Sequence, residues 1–141
     1  MSQENVELVK GVYELLPMGG ILNHTPDQID RAFRDFLDEQ FEFRLPDYPE
    51  GAPVFRGREG VAQFTAMLGE AWDEWLFEPQ EILDASDRVV VVGRILGKGE
   101  TSGIRVELET THVWTIRSGR AVSAHVYRDR SEALEAAGLS E

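Results

Sequence analysis

The side chain best suited to proton chemistry in this sequence is His112. Residues 104–116 alternate, so Val106, Leu108, Thr110, His112, Trp114 and Ile116 share one face of a strand, with Arg105, Glu107, Glu109 and Thr111 on the other. The apolar face turns inward and carries His112 with it. An imidazole can donate, accept or carry a proton near neutral pH, which suits a general acid or base. The same position suits a hydrogen-bonded core histidine equally well. Arg94 is the oddest charge in the chain, late in the apolar run 89–96. An arginine on a buried strand needs a carboxylate, a ligand anion or solvent, so a ligand contact and a structural ion pair are both open. Glu42 and Arg44 share one face of the segment 41–45, and Phe41, Phe43 and Leu45 share the other. By parity alone the aromatic face is core and the charged face meets water.

Other chemistries find little support. No two of the three histidines have ligand spacing, and Glu109 and His112 fall on opposite strand faces, so no metal site is expected. His24 lies in an irregular stretch without a visible role, and His125 and Tyr127 fall opposite Val122, Ala124 and Val126, as surface or interface residues. The glycines around Lys98 lack dinucleotide spacing and no helix follows them, which leaves a hairpin loop. There is no cysteine and no nucleophile elbow. A net charge of −12 repels phosphate backbones and anionic headgroups, so neither nucleic acid nor membrane is an expected partner. With a polar, acidic N-terminus and no apolar run of membrane-spanning length, a cytoplasmic location is expected.

These residues must be positioned by a chain of 141 residues, enough for one core, and a single domain spanning 1–141 is expected. Val6, Val9, Val12, Tyr13 and Leu16 recur at helical spacing, predicting a first helix over 4–16 with Ser2 as cap. A break at 17–20 precedes a capping box at 25–28, which opens a second helix with the stripe Ile29, Ala32, Phe33, Phe36 and Leu37. A short strand over 41–45 leads into a turn-rich stretch, 46–53. Val61, Phe64, Leu68, Ala71, Trp72 and Trp75 then predict a third helix ending near Trp75. Strands over 77–84, 88–96, 104–116 and 120–128 form an antiparallel meander, and a last helix over 131–137 has Asp129 as cap and Gly138 as stop. The long strand must bend, which makes one sheet face concave under the three helices.

The segments ENVELVKGVYELL, FRGREGVAQF, EAWDEWLFEPQEI, DRVVVVGRILGKG, THVWTIRSGRAV and VYRDRSEALEAAGL resemble the SnoaL-like group of the nuclear transport factor 2-like superfamily over nearly the whole chain. The resemblance implies an α+β conical barrel, a curved antiparallel sheet wrapped around three N-terminal helices with a short C-terminal helix. It also implies a homodimer through the outer sheet face and a pocket for a small, partly apolar organic molecule. In related epoxide-opening enzymes the positions matching Glu42 and Arg44 face the pocket and Arg94 matches the catalytic arginine, but the acidic partners fall on Leu96 and Val126. The tyrosine and aspartate of the ketosteroid isomerase branch fall on Val12 and Leu45, with Tyr13 one position off. On this reading Glu42 is a base, the cations Arg44 and Arg94 stabilise a developing enolate, His112 is a general acid or base, and Arg44, Trp114, Tyr13 and Trp72 hold the ligand, without a cofactor. An isomerase, cyclase or hydrolase, a non-catalytic binder of the same shape and a dimeric interaction module all remain open, because this fold hosts each of them.

Overall fold

The computed structural model of the chain describes residues 2–15, 26–46, 54–99 and 102–139. The break at 17–20, the cap at Thr25, His24 and nearly all of the 46–53 turn lie outside these residues, as do the side chains of Ser2, Leu68 and Ala71.

Among the described residues four helices flank a curved, unclosed sheet of six strands. Helix α1 (Ser2–Leu15) buries Val9 and Val12, and α2 (Pro26–Asp35) buries Ile29, Ala32 and Phe33, as their spacing predicts. Strand β1 (Leu37–Arg44) begins four residues before its expected start, so Leu37 belongs to the sheet. A three-residue strand absent from the sequence reading, β2 (Val54–Arg56), pairs with it. Helix α3 (Gly57–Ala71) then hands over directly to β3 (Trp72–Ala85), followed by β4 (Arg88–Gly99), β5 (Arg105–Arg117), β6 (Arg120–Tyr127) and α4 (Arg130–Ala136).

Strands β3 to β6 form the expected antiparallel meander. The sheet is mixed, however, because β1 joins it parallel to β6, giving the order β2-β1-β6-β5-β4-β3. The third helix also ends four residues early, and Trp72 and Trp75 are strand residues. A bulge between Trp72 and Glu74 lets Trp72, Trp75 and Phe77 share one face, opposite Gly99, Gly97 and Ile95. Spacing of three across a bulge imitates a helical repeat.

The two sheet faces carry different cores. Helices α1 to α3 cover Phe41, Phe43, Phe77, Val89, Val91, Trp114, Ile116, Ala124 and Val126. On the other face α4 packs Ala133, Leu134 and Ala137 on Val90 and Val113. Helices thus lie on both faces, and α4 is fixed by the expected cap, Asp129, whose carboxylate accepts from the Ser131 N–H at 2.8 Å. The double cover explains why every residue from Thr110 to Trp114 is buried, whichever way it points.

Arg120 ties the layers together. Its guanidinium donates to the carbonyls of Phe33 (3.1 Å), Leu37 (3.0 Å) and Arg34 (2.8 Å). A cation there satisfies carbonyls at the C-terminal end of α2 and opposes the negative end of the helix dipole.

Candidate functional site

His112 lies on the helix-covered face of β5 and is 3% exposed. Its cross-strand partners are Val91 and Val126, so the ring sits in an apolar part of the sheet. Tyr13, partly buried on the inward stripe of α1, meets it with Oη 2.8 Å from His112 Nδ1. Trp114, two residues along β5 on the same face, donates its Nε1–H to Tyr13 Oη at 2.9 Å. An indole N–H can only donate, so Tyr13 Oη is an acceptor in that contact.

Aromatic rings enclose this chain of polar atoms. Phe77 stacks on His112 with centroids 4.3 Å apart, and Tyr13 lies nearly parallel to His112 at 6.2 Å and edge-on to Trp114 at 5.7 Å. Phe41 stacks on Trp114 at 5.9 Å. Phe77 comes this close because Gly93 has no side chain. A Cβ at Gly93 would sit 2.3 Å from the Glu78 carbonyl oxygen and 2.7 Å from the Phe77 ring.

Burial among these groups pushes the His112 pKa down from 6.5 to about 4, so the imidazole is neutral at pH 7. Burial also pushes the Tyr13 phenol up, against the smaller opposing effect of the Trp114 hydrogen bond. Two proton arrangements satisfy the contacts. In one, Tyr13 donates to Nδ1 and His112 keeps its proton on Nε2. In the other, Nδ1–H donates to Tyr13, leaving the phenol proton and the Nε2 lone pair available. Among the described residues Nε2 has no hydrogen-bond partner. In either arrangement the site offers one neutral donor beside an aromatic wall.

The charged residues expected to join His112 do not. Phe41 and Phe43 are buried in the core, so the alternation of β1 turns Glu42 and Arg44 to the opposite face, as parity without the resemblance had it. There Glu42 accepts from Arg44 Nη2 at 2.7 Å and from Arg56 Nε at 2.9 Å. These bonds, Arg56 first, hold its carboxyl below the usual carboxylate range. A fully ionised, doubly paired carboxylate on that face has no access to a substrate held at His112. Arg94 alternates with Val89, Val91 and Ile95 of the helix-covered core and so lies on the far face, where it pairs with Glu78 at 3.0 Å and with Glu107. That is the structural ion pair, not the ligand contact. Trp72 packs on Trp75 with centroids 5.0 Å apart, both rings lying over Gly97, while the ring neighbours of His112 among the described residues are Tyr13 and Phe77. His125 and Tyr127 stack on each other at 4.3 Å.

Of the residues singled out from sequence, the structure brings together Tyr13, His112 and Trp114. Sequence reasoning missed Phe77 and Phe41 as walls of the site and Gly93 as the gap that admits Phe77. A glycine inside an otherwise apolar strand run was the available signal.

The fold recurs in solved structures. A nuclear transport factor 2-like protein of unknown function from Burkholderia pseudomallei is 22% identical, with TM-score 0.70, over 94% of this chain and 95% of that one. TerC, co-crystallized with polyporic acid, is 22% identical with TM-score 0.70 over 96% and 98%. A protein described as a SnoaL-like polyketide cyclase, from Jannaschia sp. CCS1, is 18% identical with TM-score 0.70 over 99% and 94%. At these identities the likeness speaks for the fold alone. A search of curated proteins finds no match. The family model described as SnoaL-like domain matches residues 23–124, well over half of the sequence, and the chain therefore belongs to the SnoaL-like family.

Proposed function

We propose that this protein binds a small, partly apolar organic molecule carrying a carbonyl, enol or phenol oxygen, with His112 and Tyr13 as the polar contact and Phe77, Trp114 and Phe41 as apolar walls. The observation that carries the reading is the buried chain Trp114 Nε1–H, Tyr13 Oη, His112 Nδ1, which is neutral and leaves Nε2 without a described protein partner. A neutral donor in a dry aromatic setting recognises an oxygen acceptor and discriminates against groups that cannot accept. That TerC, a protein of the same fold, was co-crystallized with polyporic acid supports the reading by analogy.

Acid/base catalysis is the second reading, favoured by the direct Tyr13–His112 contact. Its scope is narrow. With His112 near pKa 4 and the Tyr13 phenol pushed up, the pair is a weak base and a weak acid at neutral pH. It would polarise a carbonyl, and Glu42 on the opposite face supplies no base.

The test is a binding screen of aromatic ketones, phenols, quinones and aryl carboxylates by thermal shift, with titration calorimetry of the hits. Loss of the oxygen contact in His112→Leu or Tyr13→Phe should weaken a true ligand by about 5- to 150-fold, the equivalent of roughly 1–3 kcal/mol for a polar contact. Hits that bind both variants as tightly as the native protein, with all three folded by near-UV circular dichroism, would remove the site. Turnover of a hit that Glu42→Gln abolishes would instead restore the catalytic reading that the geometry disfavours.

A further inference from the structure

Thr111 is 2% exposed, yet among the described residues its hydroxyl has no hydrogen-bond partner, whereas the hydroxyl of its neighbour Thr110 donates to the Tyr127 carbonyl at 3.4 Å. A buried hydroxyl without a partner is costly, so the position calls for something that enters beside it. Alternation along β5 turns Thr111 away from His112, onto the sheet face opposite the aromatic site. There it lines a cavity of about 220 Å³. Such a volume has room for about seven waters at ~30 Å³ each.

Three strands and the segment after a fourth build this cavity. Glu81 stands opposite Val92, and Val92 opposite Thr111, while β3 carries an extra residue, Gln80, between Pro79 and Glu81. That bulge re-aims the side chains of β3 at the cavity. Just past β6, Arg130 Nη1 donates to Glu81 Oε2 at 3.0 Å, and the ion pair forms one wall. Glu109, two residues before Thr111 on the same face, makes no hydrogen bond or ion pair among the described residues. Its cross-strand neighbour Arg94 is taken by Glu78 and Glu107. Arg128 completes the charged lining, which sets two carboxylates against two guanidiniums. A simple ion of either sign meets a like charge there, and a molecule carrying both signs meets its complement at each end.

We infer that this cavity is a second ligand site, separate from the one at His112, and that it takes a small α-amino acid as its zwitterion. The ammonium group donates to the Glu109 carboxylate and to the Thr111 hydroxyl oxygen, the two groups left unengaged. The carboxylate accepts from the guanidiniums of Arg128 and Arg130, each of which carries five N–H donors. Val92 offers apolar contact to a short side chain.

The experiment is an amide NMR titration of the full chain with glycine, L-alanine and L-serine, beside methylammonium and acetate at matched ionic strength. The amino acids shift the Thr111, Gly93 and Gln80 amides saturably, and the two simple ions do so more weakly. Thr111→Val keeps the shape and removes the hydroxyl, so amino-acid affinity falls by about two- to tenfold. The same variant loses no stability to urea, because the native hydroxyl bonds nothing in the protein; a threonine with a structural role would give the opposite pair of results. Glu109→Gln removes the partner of the ammonium and weakens binding by about fivefold. No saturable shift with any of the three amino acids, an equal response to acetate or methylammonium, unchanged affinity in Thr111→Val, or a Thr111→Val protein that unfolds more readily would each overturn the inference.

Discussion

Acid should weaken this fold through His112 before it reaches the carboxylates. The unfolded imidazole takes up a proton below its ordinary pKa of 6.5, whereas the buried one resists until about pH 4. Between those values the unfolded chain holds more protons, so stability falls as pH falls. It is complete above 6.5, and the loss is finished below 4. At about 1.4 kcal/mol per pH unit, the interval is worth about 3 kcal/mol, a large part of the 5–15 kcal/mol that holds a typical domain. His112 is almost wholly inside, so little of this is lost to solvent screening. The assay is urea unfolding from pH 4 to 7.5 for the native protein and for His112→Gln, which can still bond Tyr13 but cannot titrate. Glu42 and Asp35, whose carboxyls are held below their usual range, lose their contributions at lower pH and in both proteins alike. The native curve should therefore fall by about 3 kcal/mol more than the variant's between pH 6.5 and 4. Parallel curves, or an imidazole that titrates near 6.5 by NMR in the folded protein, would refute the reasoning.

Substitutions at four positions probe the remaining claims by urea denaturation. Gly93→Ala drives a Cβ into the Glu78 carbonyl and the Phe77 ring and should cost at least 1–3 kcal/mol, roughly the range for overpacking; a neutral result would mean the Phe77 ring is not held against β4. Arg120→Ala frees three carbonyls around the end of α2 and should cost about 1–3 kcal/mol, with Arg120→Lys only partly restoring stability because one ammonium cannot span the three. Glu42→Gln breaks a partly exposed pair of ion pairs and should cost about 1 kcal/mol or less, leaving ligand affinity unchanged. Tyr13→Phe strands the Trp114 indole N–H and His112 Nδ1 and should cost about 2–4 kcal/mol, the sum of two lost contacts.

The fold was largely legible because its long elements repeat cleanly. Alternation in β5 and β6 and the apolar stripes of α1 and α2 each gave a strand or helix with the right side inward. Reading failed where a bulge changed the period. Trp72, Trp75 and Phe77 imitate a helical stripe only because the ladder slips between Trp72 and Glu74. A second slip between Thr115 and Ile116 makes Ala121, not Val122, the fully buried residue at the start of β6. A bulge is a backbone event with no obligatory side-chain signature, so periodicity cannot locate it. Strand β2 escaped for a different reason: three residues carry too little alternation to register.

The site divides along the same line between local and non-local information. The inward direction of His112 is a property of β5 alone and follows from its own alternation. That Tyr13 Oη lands on His112 Nδ1 depends on the packing of α1 across the sheet, a relation between residues 99 positions apart. The charged candidates illustrate the cost of overriding local physics by analogy. Parity in β1 put Glu42 outside with nothing but Phe41 and Phe43 as warrant, and likeness to epoxide-opening relatives argued it inside. The structure sides with the phenylalanines, because reversing that strand would expose two aromatic rings in order to bury a carboxylate and a guanidinium. Arg94 obeys the same constraint: surrounded in sequence by residues of both faces, it takes the face where Glu78 and Glu107 await it. What is left inside is a neutral hydrogen-bonding chain within aromatic walls. A neutral pair of that kind has little means of moving a proton off carbon.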